Sequence, residues 1–346
     1  MLPLKINAQN PSQDGQWSDP IVFDIVPVAA ANLPDGKLIV WSSKYKDTYG
    51  GADGHTYTQI FDPFQGTDGV AEPSTESNTN HDMFCPGINN LPDGRILAAG
   101  GSSSEKTSLY DYQTGLWTVA DEMNVPRGYQ GNVTLSDGSV FTIGGSWAGE
   151  RGGKYAEIWT PNTGWIGMPS LPGILLTDGN DPNLDDPDPS QQIYRTDNHA
   201  WLIPAPNGKI FHAGPGTNMH WIDVNDISNP QVQDLGSRLD DVYSMNGNAA
   251  MFDIGKVLKT GGARTYSMGA PASDLSYVID INSEIPSVTK VPGLNEARAM
   301  HNTTVLPDGT VLITGGLDSG SVFTDEGASY AGELFNPQTN TWSYTA

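Results

Sequence analysis

Short apolar runs alternate with polar turns along almost the whole chain. In most copies an apolar run ends in Leu-Pro-Asp-Gly or a close variant, and a second apolar run follows directly. Asp-Gly between two apolar runs predicts a tight β-hairpin, because such turns need positive φ angles that glycine adopts at little cost. The turn glycines of these copies are Gly36, Gly94, Gly138, Gly208, Gly255 and Gly309.

These hairpins belong to a longer repeat. The turn glycines are 58, 44, 70, 47 and 54 residues apart, and most copies continue into a Gly-Gly or Gly-Pro pair. Several then enter an aromatic strand, as in Glu157–Asn162. A period of about 50 residues with four short strands is typical of kelch-type blades. The sequence therefore predicts an all-β, kelch-type β-propeller over residues 17–346, with about six blades present and residues 1–16 as an N-terminal extension.

The longest gap between hairpins contains an acidic, proline-rich stretch over residues 176–189. This composition favours an exposed insertion loop. Its carboxylates also allow a Ca²⁺ site as an alternative, although the spacing of an EF-hand is absent.

Composition and charge narrow the function classes. The 346 residues include 40 glycines and 25 prolines, a density that would break helices repeatedly. The formal charge of −23 disfavours nucleic acid and anionic lipid as partners, because both attract clustered Lys and Arg. We therefore expect no nucleic-acid partner, and the lack of a run of about 18 apolar residues predicts no membrane insertion.

The register of the repeat predicts which residues meet at one end of the propeller. The residue nine positions before each turn glycine should lie at an equivalent point of an innermost strand. Cys85, the single cysteine, and Tyr129 are thereby predicted neighbours, and His199 and His301 should approach the same mouth. A buried structural cysteine and histidines that only satisfy hydrogen bonds are the alternatives. The six equivalent residues are Pro27, Cys85, Tyr129, His199, Asn246 and Met300.

At these residues the chain closely resembles the galactose oxidase family of radical-copper oxidases, which includes glyoxal and alcohol oxidases. The resemblance runs from about Trp17 onward. The matching segments include His81–Ile88 (HDMFCPGI), Arg127–Gln130 (RGYQ), Phe141–Trp147 (FTIGGSW) and Tyr194–Trp201 (YRTDNHAW).

The resemblance implies a catalytic group made of Cys85, Tyr129 and Trp147. Cys85 matches a cysteine joined by a thioether bond to a tyrosine, and Tyr129 matches that tyrosine, an equatorial copper ligand and the seat of a radical. Alcohol oxidation removes two electrons and Cu(II) accepts one, so the metal and the radical together accept the pair. Trp147 matches an indole stacked over the cross-linked ring, with ordinary packing as the alternative.

The resemblance also implies substrate-binding residues. Arg195 matches an arginine that hydrogen-bonds substrate hydroxyls, with a salt bridge between blades as the alternative. Tyr49 and Ser267 stand where galactose oxidase has a phenylalanine and a glutamine that contact the sugar, so galactose itself is disfavoured. Tyr266 matches a tyrosine just behind the site, and the segment Met219–Trp221 is similar to the glyoxal-oxidase branch.

Part of the family's copper site lacks a counterpart here. The resemblance implies an axial tyrosine followed directly by a histidine, and a further histidine, imidazoles that suit Cu(II). No histidine of this sequence directly follows a tyrosine; the six are His55, His81, His199, His212, His220 and His301. We therefore expect a truncated form of a seven-bladed parent, without its seventh blade and C-terminal β-domain, and inactive in isolation. A natural short relative that has lost copper chemistry is the alternative.

Two functions remain open from the sequence. The first is the catalytic propeller portion of a copper-radical oxidase that oxidises a primary alcohol, aldehyde or carbohydrate with O₂ and produces H₂O₂. Its cofactors would be copper in the full-length parent and the Cys–Tyr thioether radical, and the resemblance implies secretion. The second is a non-catalytic kelch propeller that binds glycan or protein.

Overall fold

The computed structural model describes residues 15–50, 54–177, 197–265 and 269–345. Within these ranges the regular structure is almost entirely β, with 24 strands and three short 3₁₀ helices. The 3₁₀ helices are Pro63–Asp68, Ser77–Thr79 and Gly173–Leu176.

The strands form six four-stranded antiparallel sheets, each with its strands in chain order. This arrangement confirms the prediction of an all-β, kelch-type β-propeller with six blades present. The sheets are β1 Ala29–Asn32, β2 Leu38–Trp41, β3 Tyr57–Phe61 and β4 Ser74–Thr75; β5 Gly87–Asn90, β6 Ile96–Ala99, β7 Thr107–Asp111 and β8 Leu116–Ala120; β9 Gly131–Thr134, β10 Val140–Ile143, β11 Tyr155–Thr160 and β12 Gly164–Pro172; β13 Trp201–Pro204, β14 Ile210–Gly214, β15 Asn218–Asp223 and β16 Gln231–Ser237; β17 Asn248–Asp253, β18 Lys256–Thr260, β19 Ser276–Asp280 and β20 Ser287–Val291; and β21 Asn302–Val305, β22 Val311–Thr314, β23 Glu333–Asn336 and β24 Thr341–Tyr344.

The hairpin turns form where the Asp-Gly pattern predicts them. All six turn glycines have positive φ, from 65° at Gly255 to 86° at Gly94. A side chain would be strained at such an angle, so glycine determines where the first two strands of each blade are joined.

The blades fall into two compact units. Ser18–Ile174 contains β1–β12, and the other unit contains Trp17 and the chain from Leu175 on, with β13–β24. In the first unit, neighbouring sheets bury tryptophans between their faces, and Trp41 meets Trp117 edge to face at 5.5 Å. Burial of one large apolar side chain contributes roughly 1.5–3 kcal/mol. The sheets are therefore held together mainly by apolar contact between their faces.

The six residues that the repeat register predicts to be equivalent do not lie on the inner strands; each lies two residues before one. Five of the six equivalent residues have left-handed φ angles between 55° and 60°, and the sixth is Pro27, whose ring holds φ negative. A non-glycine residue in this region is uncommon, so its recurrence shows that these positions are structurally equivalent. The five are Cys85, Tyr129, His199, Asn246 and Met300.

No helix among the described residues is long and apolar enough to cross a membrane.

Candidate active site

Cys85 and Tyr129 are in contact. The Cys85 Sγ–H donates a hydrogen bond to Tyr129 Oη at 3.1 Å, and both side chains are partly buried. The two residues enter the inner strands β5 and β9 of neighbouring sheets of one unit. The structure thus brings together the pair that the repeat register predicts.

The Cys85 segment is fixed by hydrogen bonds to its backbone. Thr56 Oγ1 donates to the His81 carbonyl at 2.9 Å and accepts from the Met83 amide at 2.8 Å. Trp41 Nε1 donates to the Met83 carbonyl at 3.0 Å. Buried backbone groups need such partners, so these side chains hold the loop before Cys85 in one conformation.

His81 anchors the same loop through its imidazole. Its Nδ1 lies 2.9 Å from Ser108 Oγ and its Nε2 lies 2.9 Å from the Gly100 carbonyl oxygen. Burial lowers the pKa of His81 to about 4, so the ring is neutral at pH 7. This histidine is therefore a structural residue whose two nitrogens are both occupied.

The pair Gly100 and Gly101 brings the Cys85 and Tyr129 segments together. The Gly101 amide donates to the Arg127 carbonyl at 3.0 Å. A Cβ at Gly101 would lie 2.3 Å from the Phe84 carbonyl oxygen, and a Cβ at Gly100 would lie 2.4 Å from the Arg127 carbonyl oxygen. Only residues without side chains permit such close approach of three backbone segments.

The Tyr129 segment is held by a buried ion pair. Arg127, two residues before Tyr129, directs Nη2 to Glu157 Oε2 at 2.7 Å, and both side chains are fully buried. Arg127 Nη1 also donates to the Gly144 carbonyl at 2.8 Å. Glu157 in turn accepts hydrogen bonds from the Asn124 and Val125 amides. The network fixes the approach to β9, and Arg298 and Glu333 form the same pair in the other unit.

The electrostatics of the site keep the thiol protonated. Burial raises the pKa of Cys85 to about 11, and the charge of Asp82 contributes in the same direction, while the Tyr129 hydrogen bond opposes them. Burial also raises the pKa of Asp82 to about 6. Hydrogen bonds from the Phe84 and Lys44 amides and the charges of Lys44 and His55 act in the opposite direction and lower this pKa. Cys85 therefore carries its hydrogen at pH 7 and presents it to Tyr129.

Trp147 covers Tyr129 in a geometry that differs from the one the resemblance implies. The two ring centroids lie 5.3 Å apart, but the ring planes meet edge to face at 81° instead of stacking. The positive edge of one aromatic ring is attracted to the negative face of another, which stabilises this arrangement. Trp147 is 46% exposed, so it forms an outer wall of the site.

Sequence reasoning missed Phe84 as a site residue. Its ring stacks on Tyr49 with centroids 5.0 Å apart and planes 6° from parallel, and Tyr49 is 48% exposed. The position of Phe84 directly before Cys85 was the available signal. Three predicted substrate residues, Arg195, Tyr266 and Ser267, lie outside the described residues, as does most of the acidic loop.

The described donors do not make a complete copper site. Tyr129 supplies one phenol oxygen, but no three His, Cys, Asp or Glu side chains gather at one point in the part of the chain that the structure describes. Cu(II) favours tetragonal sites of nitrogen and oxygen ligands. The described residues therefore fit one position of such a site, and no reaction step can be derived through the metal from them.

Three histidines of the other unit, His212, His220 and His301, are buried. His301 Nε2 lies 2.9 Å from Thr260 Oγ1, and burial lowers the pKa of His301 to about 3. His212 and His220 face each other with Nδ1 atoms 3.1 Å apart in the interior of a sheet. Of the two histidines that the repeat register places at the mouth, His301 thus has a hydrogen-bond partner at Nε2.

Known proteins resemble the chain in both sequence and fold. Two curated sequences named galactose oxidase, both from Gibberella zeae and one of them from strain PH-1, are each 37% identical to it over 342 residues. The match covers 95% of this chain and 48% of each relative, so the chain spans about half the length of the curated relatives it matches.

A solved structure described as a novel fungal alcohol oxidase of the AA5 family, in complex with copper, superposes with a TM-score of 0.87 at 32% identity. That match covers 96% of this chain and 67% of the other. No protein-family model matches the chain.

Proposed function

Because the chain belongs to the galactose oxidase family, we propose that it forms the propeller portion of a copper-radical oxidase. The whole protein would oxidise a primary alcohol or aldehyde with O₂ and release H₂O₂. The contact of 3.1 Å between Cys85 Sγ and Tyr129 Oη carries the proposal, since it joins the two residues that the resemblance assigns to the cofactor.

The first part of the proposal is a thioether bond between Cys85 Sγ and a ring carbon of Tyr129 next to the phenol. The S–H bond and one ring C–H bond break, and a C–S bond forms. Two protons and two electrons leave, and O₂ accepts them to give H₂O₂. The hydrogen bond between Cys85 and Tyr129 supports this step because it holds the sulfur beside the ring before the reaction.

The second part concerns the metal. The phenol oxygen of Tyr129 would hold copper in part, and copper, when bound, would supply one-electron redox chemistry next to the cross-linked tyrosine. Tyr129 is the residue of the described chain that would bind copper directly. Arg127, Glu157 and the glycine pair act on Tyr129 by fixing its backbone, and Trp147 limits access of water to its ring.

The substrate would be a small alcohol, aldehyde or carbohydrate. The stack of Tyr49 on Phe84 supports this, because an exposed aromatic face beside Cys85 offers an apolar surface to a ligand. Arg195, Tyr266 and Ser267 are assigned to substrate binding by the resemblance. Secretion of the protein is part of the same proposal.

A non-catalytic kelch propeller that binds glycan or protein is the second candidate. The exposed aromatic side chains Tyr49 and Trp147 favour it. Under this alternative Cys85 stays a free thiol.

Intact-protein mass separates the two candidates. The chain is incubated with Cu(II) and O₂, and a thioether lowers its mass by the mass of two hydrogen atoms. Peptide mapping should then locate the bond between Cys85 and Tyr129, and the Cys85→Ser and Tyr129→Phe variants should keep their full mass. An unmodified thiol together with no bound copper by metal analysis would contradict the oxidase proposal for this chain.

A further inference from the structure

A buried carboxylate lies three residues before the reactive thiol. Asp82 is fully buried, and although it lies in the matching segment His81–Ile88, neither the resemblance nor the repeat register assigns it a role. Carboxylates are seldom fully buried without a role, because removal of the charge from water costs free energy that must be offset by specific contacts. The contacts of Asp82 indicate what that role is.

The Asp82 side chain closes a turn onto the residue before Cys85. Its Oδ1 accepts a hydrogen bond from the Phe84 amide at 3.2 Å, two residues on. Such an Asx turn replaces a backbone hydrogen bond and reverses the local chain direction. The turn lies directly before Cys85, which has φ at 59° and precedes β5 by two residues.

The backbone of Asp82 is held on both sides by one residue. The Asp82 amide donates to Ser103 Oγ at 2.9 Å, and the Ser103 amide donates to the Asp82 carbonyl at 3.2 Å. The Ser102 amide donates to the Phe84 carbonyl at 3.0 Å. These hydrogen bonds hold the backbone of Asp82 in place. Because the Asp82 side chain also bonds the Phe84 amide, the backbone of Phe84, next to Cys85, is held with it.

The repeat itself does not require this carboxylate. Tyr129, His199, Asn246 and Met300 reach the same left-handed φ without an acidic residue three positions earlier. Only Asp24, in the first blade, occupies the equivalent place. The residues three positions before the other inner strands' entry points are Pro126, Thr196, Tyr243 and Ala297.

We infer that Asp82 is a positioning residue, whose Oδ1 turns the chain so that the Cys85 thiol points at Tyr129 Oη. This inference rests on the proposed function, because formation of the thioether requires the Cys85 thiol to lie next to the ring of Tyr129. It concerns the geometry before the bond forms and is measurable without copper.

The S–H stretching band in the Raman spectrum tests the inference directly. Cys85 is the only cysteine of the chain, so the band reports one bond. A hydrogen bond to Tyr129 lowers the frequency, and the Tyr129→Phe variant gives the frequency without that acceptor. We expect Asp82→Ala to shift the band to the Tyr129→Phe value and Asp82→Asn, which keeps Oδ1, to leave it at the wild-type value.

Asp111→Ala is the matched control. Asp111 Oδ1 accepts from the Gln113 amide at 2.8 Å, which makes the same kind of turn in the same unit away from Cys85. We expect its band to be that of the wild type. Asp82→Leu, which fills the space of the carboxylate without an acceptor, makes the same comparison if Asp82→Ala does not fold.

Three outcomes would overturn the inference: a wild-type band at the Tyr129→Phe frequency, a wild-type frequency in folded Asp82→Ala, or a shifted band in Asp82→Asn. Thioether formation gives the second measurement. We expect Asp82→Ala to slow it by about tenfold to a hundredfold, since misplacement by about 1 Å carries a cost of that order. A wild-type chain that shows the band shift but never forms the bond would contradict the proposed function and leave the positioning role supported.

Discussion

The Cys85 thiol lies 3.1 Å from the phenol oxygen of Tyr129, although 44 residues separate the two in the chain. They meet because each lies two residues before the inner strand of its sheet with nearly the same left-handed backbone angle, 59° at Cys85 and 60° at Tyr129. Two neighbouring copies of one repeat thus place a cysteine and a tyrosine at equivalent points, and the two side chains make a hydrogen bond.

The close approach of the two segments depends on Gly101. Gly101→Ala should destabilise the fold by about 2–4 kcal/mol, because φ is 96° and the new Cβ would lie 2.3 Å from the Phe84 carbonyl oxygen. Urea unfolding gives the free energy. Gly152→Ala is the control, since Gly152 has φ of 76° with nothing within 4 Å of its Cβ position, and it should cost about 1 kcal/mol. Equal losses in the two variants would show that the backbone approach at Gly101 is not tight.

Replacing one partner of the buried ion pair between Arg127 and Glu157 should strongly lower the free energy of unfolding. Arg127→Met leaves Glu157 charged in a fully buried position, and we expect a loss of about 3–5 kcal/mol. Arg95→Gln breaks the exposed pair with Asp93 and should change stability by less than about 1 kcal/mol. Chemical denaturation of both variants makes the comparison, and a small loss for Arg127→Met would mean that water reaches Glu157.

The contact between Trp147 and Tyr129 should have a measurable coupling energy. Edge-to-face aromatic pairs are worth about 0.5–1.5 kcal/mol beyond buried area. A double-mutant cycle of Trp147→Ala and Tyr129→Ala, read by unfolding free energy, should give a coupling in that range. If the two losses simply add, the rings do not interact in solution.

Buried His81 should make the fold sensitive to acid. Its pKa is about 4 in the folded state and near 6.5 when unfolded, so the unfolded state binds the proton first as pH falls. This histidine therefore stabilises the fold fully above pH 6.5, and its contribution of about 3 kcal/mol is lost as pH falls toward 4. The difference in unfolding free energy between the wild type and His81→Asn, measured between pH 4 and 7, gives this contribution. Other groups, including Asp82, titrate in both proteins and therefore cancel in the difference. A constant difference across that range would contradict the assignment.

Local chemistry allowed much of the fold to be predicted. Asp-Gly turns and Gly-Gly pairs depend on a few adjacent residues, so their spacing predicted about six blades of four short strands each. The same spacing predicted that Cys85 and Tyr129 are neighbours. The roles of Arg195, Tyr266 and Ser267 and the domain boundary at residue 17 stay predictions.

Other features of the site depended on residues that are distant in sequence. The stack of Tyr49 on Phe84, the edge-to-face approach of Trp147 and the pair of Arg127 with Glu157 were not predictable from spacing. Tyr49 and Phe84 belong to neighbouring sheets, whereas the other two pairs join segments around the single sheet β9–β12. In all three pairs the packing of distant segments sets the ring angles or decides which charges are excluded from water.

The sequence by itself determined the repeat, the turns and the register, because backbone preferences act over short distances. Only the tertiary structure decided which of the equivalent residues make contact and in what environment. It buried Asp82 three residues before Cys85, closed its turn on the Phe84 amide, and left the thiol protonated beside Tyr129. Burial and hydrogen-bond geometry are properties of the packed chain. They decide whether a cysteine and a tyrosine that lie near each other also make a hydrogen bond.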